Sequence, residues 1–199
     1  MDALLGRLAD KDEDSSVRGY AAEALGKLGN ALVQVVDALL LRLADEDSSM
    51  REYAAQALGK LGNASVQVVD ALLGRLADED SSVRVFAADA LGKLGNASVQ
   101  VVEALLLRLA DKHSLVRAFA ADALGKLGNA SVQVVDALLG RLADKHSWVR
   151  RNAADALGNL GKNSSDVGIA VVKWILQHQD SEYVGSGIDA LWELVATDG

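Results

Sequence analysis

"ALGKLGNASVQVVDALLGRLAD" fills Ala57 to Asp78, and the same letters return at Ala123 to Asp144. Its second half places Val69, Leu72, Leu73 and Leu76 at i, i+3, i+4 and i+7, the apolar stripe of a helix that must be covered. Its first half ends on Leu61-Gly62-Asn63, where glycine can take the left-handed conformation that closes a helix. The stretch therefore predicts two helices meeting at a tight turn.

The pattern extends outward with a fixed period. Ala-Leu-Gly begins at Ala24, Ala57, Ala90, Ala123 and Ala156, always thirty-three positions after the previous copy. An apolar residue followed by arginine recurs with the same period, at Val17-Arg18, Met50-Arg51, Val83-Arg84, Val116-Arg117 and Val149-Arg150. Each unit predicts a helix A, such as Val66 to Ala77, and a helix B, such as Ser82 to Leu94, with Val83, Ala87, Ala90, Leu91 and Leu94 on one side. Asp-Glu-Asp-Ser-Ser between them is rich in N-cap formers, and Ser49 with Glu52 reads as a capping box. No strand pattern survives. Neither helix of a pair buries its stripe alone, so the expectation is an all-α stack of antiparallel helix pairs sharing one elongated core. The residue before arginine in helix A runs Gly6, Leu41, Gly74, Leu107 and Gly140, so full identity returns only at every second helix pair.

Composition narrows the function classes. The 199 residues are half apolar and contain neither cysteine nor proline, which removes disulfides, thiolate metal sites and cysteine nucleophiles. The net charge of −8 disfavours nucleic acid and anionic lipid as partners. Met1-Asp2-Ala3-Leu4-Leu5 lacks the basic start of a signal peptide, and no stretch approaches the ~20 apolar residues of a membrane span. The reading is a cytoplasmic chain, in which Asn63, Asn96, Asn129 and Asn163 are turn and capping residues, not glycan acceptors.

A 33-residue helix pair carrying Asp-x-x-x-x-x-Arg and Ala-Ala-x-Ala-Leu-Gly, without the ankyrin Thr-Pro-Leu-His signature, resembles the short bacterial HEAT repeat found in phycobilisome lyases. The resemblance implies a right-handed α-α superhelix. It also implies a structural Asp/Arg ladder linking neighbouring repeats, here Asp45 and Arg51, Asp78 and Arg84, Asp111 and Arg117, Asp144 and Arg150. In the first unit two extra residues put Asp12 at the six-residue offset from Arg18. Residues 1–161 read as the array, beginning midway along a helix A as if cut from a longer array or built that way. Residues 162–199 read as a degenerate capping pair, in which Trp192 stands in the place of Gly158 to block a further repeat and Trp174 and Trp192 form the cap core.

No residue set reads as catalytic. His113 and His146 occupy equivalent positions in adjacent units, on the order of 10 Å apart in a helix stack, too far to share a metal unaided. Iron-binding HEAT-repeat enzymes use His-Glu pairs, and no histidine here precedes a glutamate. Serines sit at helix starts, and Gly-Lys-Leu-Gly ends a helix where a phosphate loop would open one. No cofactor is expected.

The copies disagree mainly along one face of helix B. In the first unit it comprises Ser16, Gly19, Tyr20, Glu23 and Lys27. Across the later units it carries Glu52, Tyr53, Val85, Phe86, Asp89, Leu115, Phe119, Asp122, Trp148, Arg151 and Asn152. In HEAT-like solenoids this side lines the concave groove where partners bind. The row of aromatic residues suits an interface, because rings bury much area for little lost rotamer freedom. The expectation is a non-catalytic module that binds a protein or peptide there. The alternatives are a bilin lyase-like subunit, an artificial scaffold with no natural ligand, and, from the tail's resemblance, the array that ends a NACHT-type NTPase.

Overall fold

The computed structural model describes residues 1–10 and 14–196, which contain twelve helices and no strand. They form two compact units, Met1–Asn96 and Ala97–Gly199. The first holds α1 (Asp2–Ala9), α2 (Ser15–Leu28), α3 (Val33–Arg42), α4 (Ser48–Leu61), α5 (Val66–Arg75) and α6 (Ser81–Leu94). The second holds α7 (Val99–Arg108), α8 (Ser114–Leu127), α9 (Val132–Arg141), α10 (Ser147–Gly161), α11 (Ser165–Gln177) and α12 (Val184–Val195). Helices A and B alternate as the sequence period predicts, so the fold is the all-α helix-pair solenoid. Asp12 lies outside the described residues. No helix among them is long and apolar enough to cross a membrane.

The elements end where the sequence chemistry ends them. Gly29, Gly62, Gly95 and Gly128 take φ between 64° and 71°, the left-handed closure predicted from Leu-Gly-Asn. At the other terminus, Asp14, Asp47 and Asp80 are the N-caps, each accepting a hydrogen bond from the backbone N–H of Ser16, Ser49 or Ser82. The expected Ser49–Glu52 capping box is therefore corrected: the aspartate two residues earlier already takes the orphan N–H, and Ser49 lies inside α4.

The second unit lacks this device. His113 and His146 stand at the N-cap positions of α8 and α10 and make no side-chain cap bond. His113→Asp should stabilise the protein by about 1 kcal/mol, through the restored cap and a negative charge at the helix N-terminus. A rise in the urea midpoint checks this; an unchanged midpoint would show that the orphan N–H groups are satisfied in another way.

Two contacts repeat at every stacking step within a unit. Helix-A residues Val68, Val69, Leu72 and Leu76, and their copies, are buried against helix B. The helix-B glycines meet the next B helix at backbone distance. A Cβ built on Gly26 would lie 2.9 Å from Ala57 Cα, on Gly59 2.8 Å from Ala90 Cα, and on Gly125 2.7 Å from Ala156 Cα. Ala-Leu-Gly thus recurs because its glycine receives the alanine of the following copy.

The final pair departs from the expectation. Trp174 is buried and stacks on His178 with ring centroids 4.1 Å apart, but Trp192 is 67% exposed and is not cap core. Gly158 packs against Glu193, whereas at the intact steps the glycine meets the alanine two residues before the next glycine. With Trp192 in the glycine's place that residue would be Ala190, so the last helix is shifted by three residues from the expected alignment.

Candidate functional site: the ladder and the outer strip of the second helices

The helix-B arginines Arg51 and Arg117 are buried and make several hydrogen bonds each. Arg51 donates through Nε and Nη2 to both carboxylate oxygens of Asp78, at 2.9 and 2.8 Å, and through Nη1 to the carbonyls of Asp45 and Glu46 at 3.0 Å each. Arg117 repeats the fork on Asp144 at 2.8 Å twice and reaches the Asp111 carbonyl at 2.8 Å. Arg18 makes a looser single contact with Asp45, 3.4 Å. Arg84 donates to the carbonyls of Asp78 and Glu79. Arg51, Arg84 and Arg117 therefore hold their own turns by backbone carbonyls, and the carboxylates gripped by Arg18, Arg51 and Arg117 belong in each case to the next repeat. The aspartate six residues before the arginine supplies a carbonyl, not the salt bridge. Arg150, with no further copy of that aspartate ahead, donates to the Asp144 and Lys145 carbonyls and lies 5.5 Å over the Tyr183 ring.

Electrostatics follow the geometry. Burial alone would raise the Asp78 and Asp144 carboxyls, but the arginine fork and a backbone N–H from Asp80 or His146 outweigh it and hold both below the ordinary value. Their arginines are correspondingly raised, first by the hydrogen bonds to these aspartates. A second set of arginines was missed by sequence reasoning: Arg75 donates to the Leu43 carbonyl at 3.1 Å and Arg141 to that of Leu109 at 2.9 Å, tying helix A back to the preceding repeat. Their periodic recurrence at the end of helix A was the available signal.

The variable face of helix B is partly a surface and partly a contact. Tyr20, Leu115 and Trp148 are 64%, 56% and 64% exposed, and Arg151 is exposed. Glu52, Tyr53, Phe86, Phe119, Asp122 and Asn152 are half-buried. Tyr53 lies directly over Gly19 of the neighbouring B helix, where a Cβ would come within 2.5 Å of its ring, and Asn152 donates to the Trp148 carbonyl within α10. Val85 and Asp89 are corrected: they are 7% and 8% exposed, because α6 is enclosed around most of its circumference and opens mainly along Ser82, Phe86 and Lys93. Burial holds the Glu52 carboxyl above its usual range, with the charge of Asp80 adding to it.

The lysines at the helix-B ends are engaged as their spacing predicts. Lys27 pairs with Glu23 at 2.8 Å, Lys93 with Asp89 at 2.5 Å and Lys126 with Asp122 at 2.6 Å. Among the described residues no three His, Asp or Glu side chains converge as metal ligands.

Comparison with known proteins agrees with this architecture. The HEAT-repeats family model matches residues 36–108 and 102–192, and the PBS lyase HEAT-like repeat model matches 17–45. No curated protein matches the chain. Among solved structures, an engineered protein from a structural genomics consortium is 26% identical, with 98% of each chain covered and a TM-score of 0.65. The complex of CpcE and CpcF of phycocyanin lyase from Nostoc sp. is 26% identical, covering 98% of this chain and 94% of that one, with a TM-score of 0.51. A designed armadillo repeat protein in complex with the peptide (KR)4 shares the fold at 16% identity, with 96% and 98% covered and a TM-score of 0.65. With the periodic helix pair, the arginine rungs between repeats and family matches over most of its length, the chain belongs to the HEAT-repeat family.

Proposed function

We propose that the protein is a non-catalytic interaction module that binds a protein or peptide along the concave-face strip of its second helices. The observation that carries this reading is the large apolar surface left in solvent there: Tyr20 in the first unit, Leu115 and Trp148 in the second. Exposed aromatic and aliphatic side chains flanked by half-buried rings are the raw material of binding hot spots. The ladder arginines and the lysines at the helix-B ends, by contrast, are occupied in rungs and helix pairs, so they favour structure over chemistry.

The test is display selection of peptides on the folded chain, followed by affinity measurement on Tyr20→Ala and Leu115→Ser. Both side chains are exposed, so helicity and melting temperature should stay unchanged while affinity for peptides selected on that unit falls about tenfold, roughly the 1.4 kcal/mol of a modest hot spot. Undiminished affinity in both variants would sink the reading. The likeness to the phycocyanin lyase complex favours a bilin lyase-like subunit as the second reading. Mixing the protein with a bilin should then shift the visible absorbance, and an unchanged spectrum removes that reading.

A further inference from the structure

Helices α10 and α12 lie side by side and run in the same direction. Arg150 in the first turn of α10 faces Tyr183 at the start of α12, and Gly158 near the end of α10 abuts Glu193 near the end of α12. Between them opens a cleft of about 520 Å³ lined by Trp148, Asp155, Asp189, Trp192 and Glu193. At about 1.5 Å per residue this register sets Trp148 and Trp192 roughly 15 Å apart along the helix axis, with Asp155 and Asp189 at levels between them.

The two indoles are 64% and 67% exposed, so core packing accounts for neither. Indole faces attract cations, arginine above all. Of the two arginines that also line the cleft, Arg150 is held by the Asp144 and Lys145 carbonyls and by the Tyr183 ring. Set against three carboxylates, the two arginines leave one net negative charge in the cleft, and neutral carbonyls and a ring already take up the Arg150 guanidinium. The crowding registers on Asp155, whose carboxyl is held above its usual range by desolvation and then by Glu193, with Asp122 and Asp189 adding to it despite Arg151.

We infer that this cleft binds basic peptide segments, seating arginine or lysine side chains on the Trp148 and Trp192 indoles and against the Asp155, Asp189 and Glu193 carboxylates. The inference rests on the reading of the B-helix strip as a peptide-binding surface and gives that surface a ligand chemistry. An extended peptide rises about 3.3 Å per residue, so roughly four or five residues bridge the two indoles.

A fluorescein-labelled Arg-Lys-Arg-Lys tetrapeptide tests it by anisotropy. Trp192→Ala and Asp189→Asn should each weaken binding about tenfold. Glu103→Gln and Asp136→Asn, which remove exposed charges on α7 and α9, should change it less than about twofold, since screened charges outside the site contribute little. Equal losses in all four variants would mean general attraction to an acidic chain and would overturn the proposal, as would no binding at all. Should the tetrapeptide fail while display-selected peptides still respond to Leu115→Ser, the cleft assignment falls and the broader reading stands.

Discussion

Gly59→Val is expected to destabilise the first unit by about 3 kcal/mol, read as a lowered urea midpoint. A Cβ at Gly59 would lie 2.8 Å from the Ala90 Cα and 2.9 Å from its Cβ, and valine adds two methyl groups beyond that. The obstacle is backbone, which cannot rotate aside, so α4 and α6 must move apart and loosen the apolar contacts between them. Valine's small advantage over glycine in helix propensity, a few tenths of a kcal/mol, does not offset this. Gly74→Ala provides the opposite case in the same unit. Nothing lies within 4 Å of a Cβ there, and the position is inside α5, so stability should rise by about 1 kcal/mol. A Gly59→Val protein as stable as its parent would show that the two B helices do not approach so closely.

Arg51→Met is expected to cost about 3–5 kcal/mol, the usual result of removing one partner from a buried ion pair. The Arg51 and Asp78 side chains are 8% and 4% exposed, and the substitution strips Asp78 of its fork while also freeing the carbonyls of Asp45 and Glu46. Thermal unfolding measures the loss; a drop below about 1 kcal/mol, the ceiling for exposed pairs, would refute the ladder's structural role. The same rungs give acid sensitivity. The folded carboxyls of Asp78 and Asp144 lie below the ordinary value of 3.8. Their contribution is therefore fully present above about pH 4 and is lost as pH falls through that value toward the depressed folded pKa. Arg51→Met should flatten this acid slope in part, because Asp78 then loses the guanidinium that lowers it most and keeps only the Asp80 N–H and Arg75, while the Asp144 rung is untouched.

The repeat, the alternation of helices, the left-handed glycines and the ladder's participants were legible in the letters because each is a local rule repeated at a fixed offset. Where the arginine reaches was not. Asp45 and Arg51 stand close in the chain and look like partners, yet the side chain grips Asp78 because the turn's own carbonyls already occupy Nη1. The exposed strip of helix B was half legible. Helical spacing placed Tyr20, Tyr53, Leu115 and Trp148 on one face, but it does not fix the angle at which neighbouring B helices meet. That angle buries Val85 and Asp89 and lays Tyr53 across Gly19, where the absent side chain makes room for a ring. Trp192 was misplaced for a related reason: the degenerate last pair offers no period to align against, and its register is set by contacts such as Arg150 with Tyr183 and Gly158 with Glu193.

Arg51 reaches forward to Asp78 and Gly59 meets Ala90, and Arg117 with Asp144 and Gly125 with Ala156 keep the same two separations. Each junction is thus specified by chain distance alone, and length in such a protein is quantised. Removing or duplicating one whole repeat inside a unit restores every offset and rejoins matching surfaces, whereas a shorter deletion carries arginine, glycine and alanine out of register together. Recombination between near-identical copies, which exchanges whole periods, is a form of change this architecture can absorb.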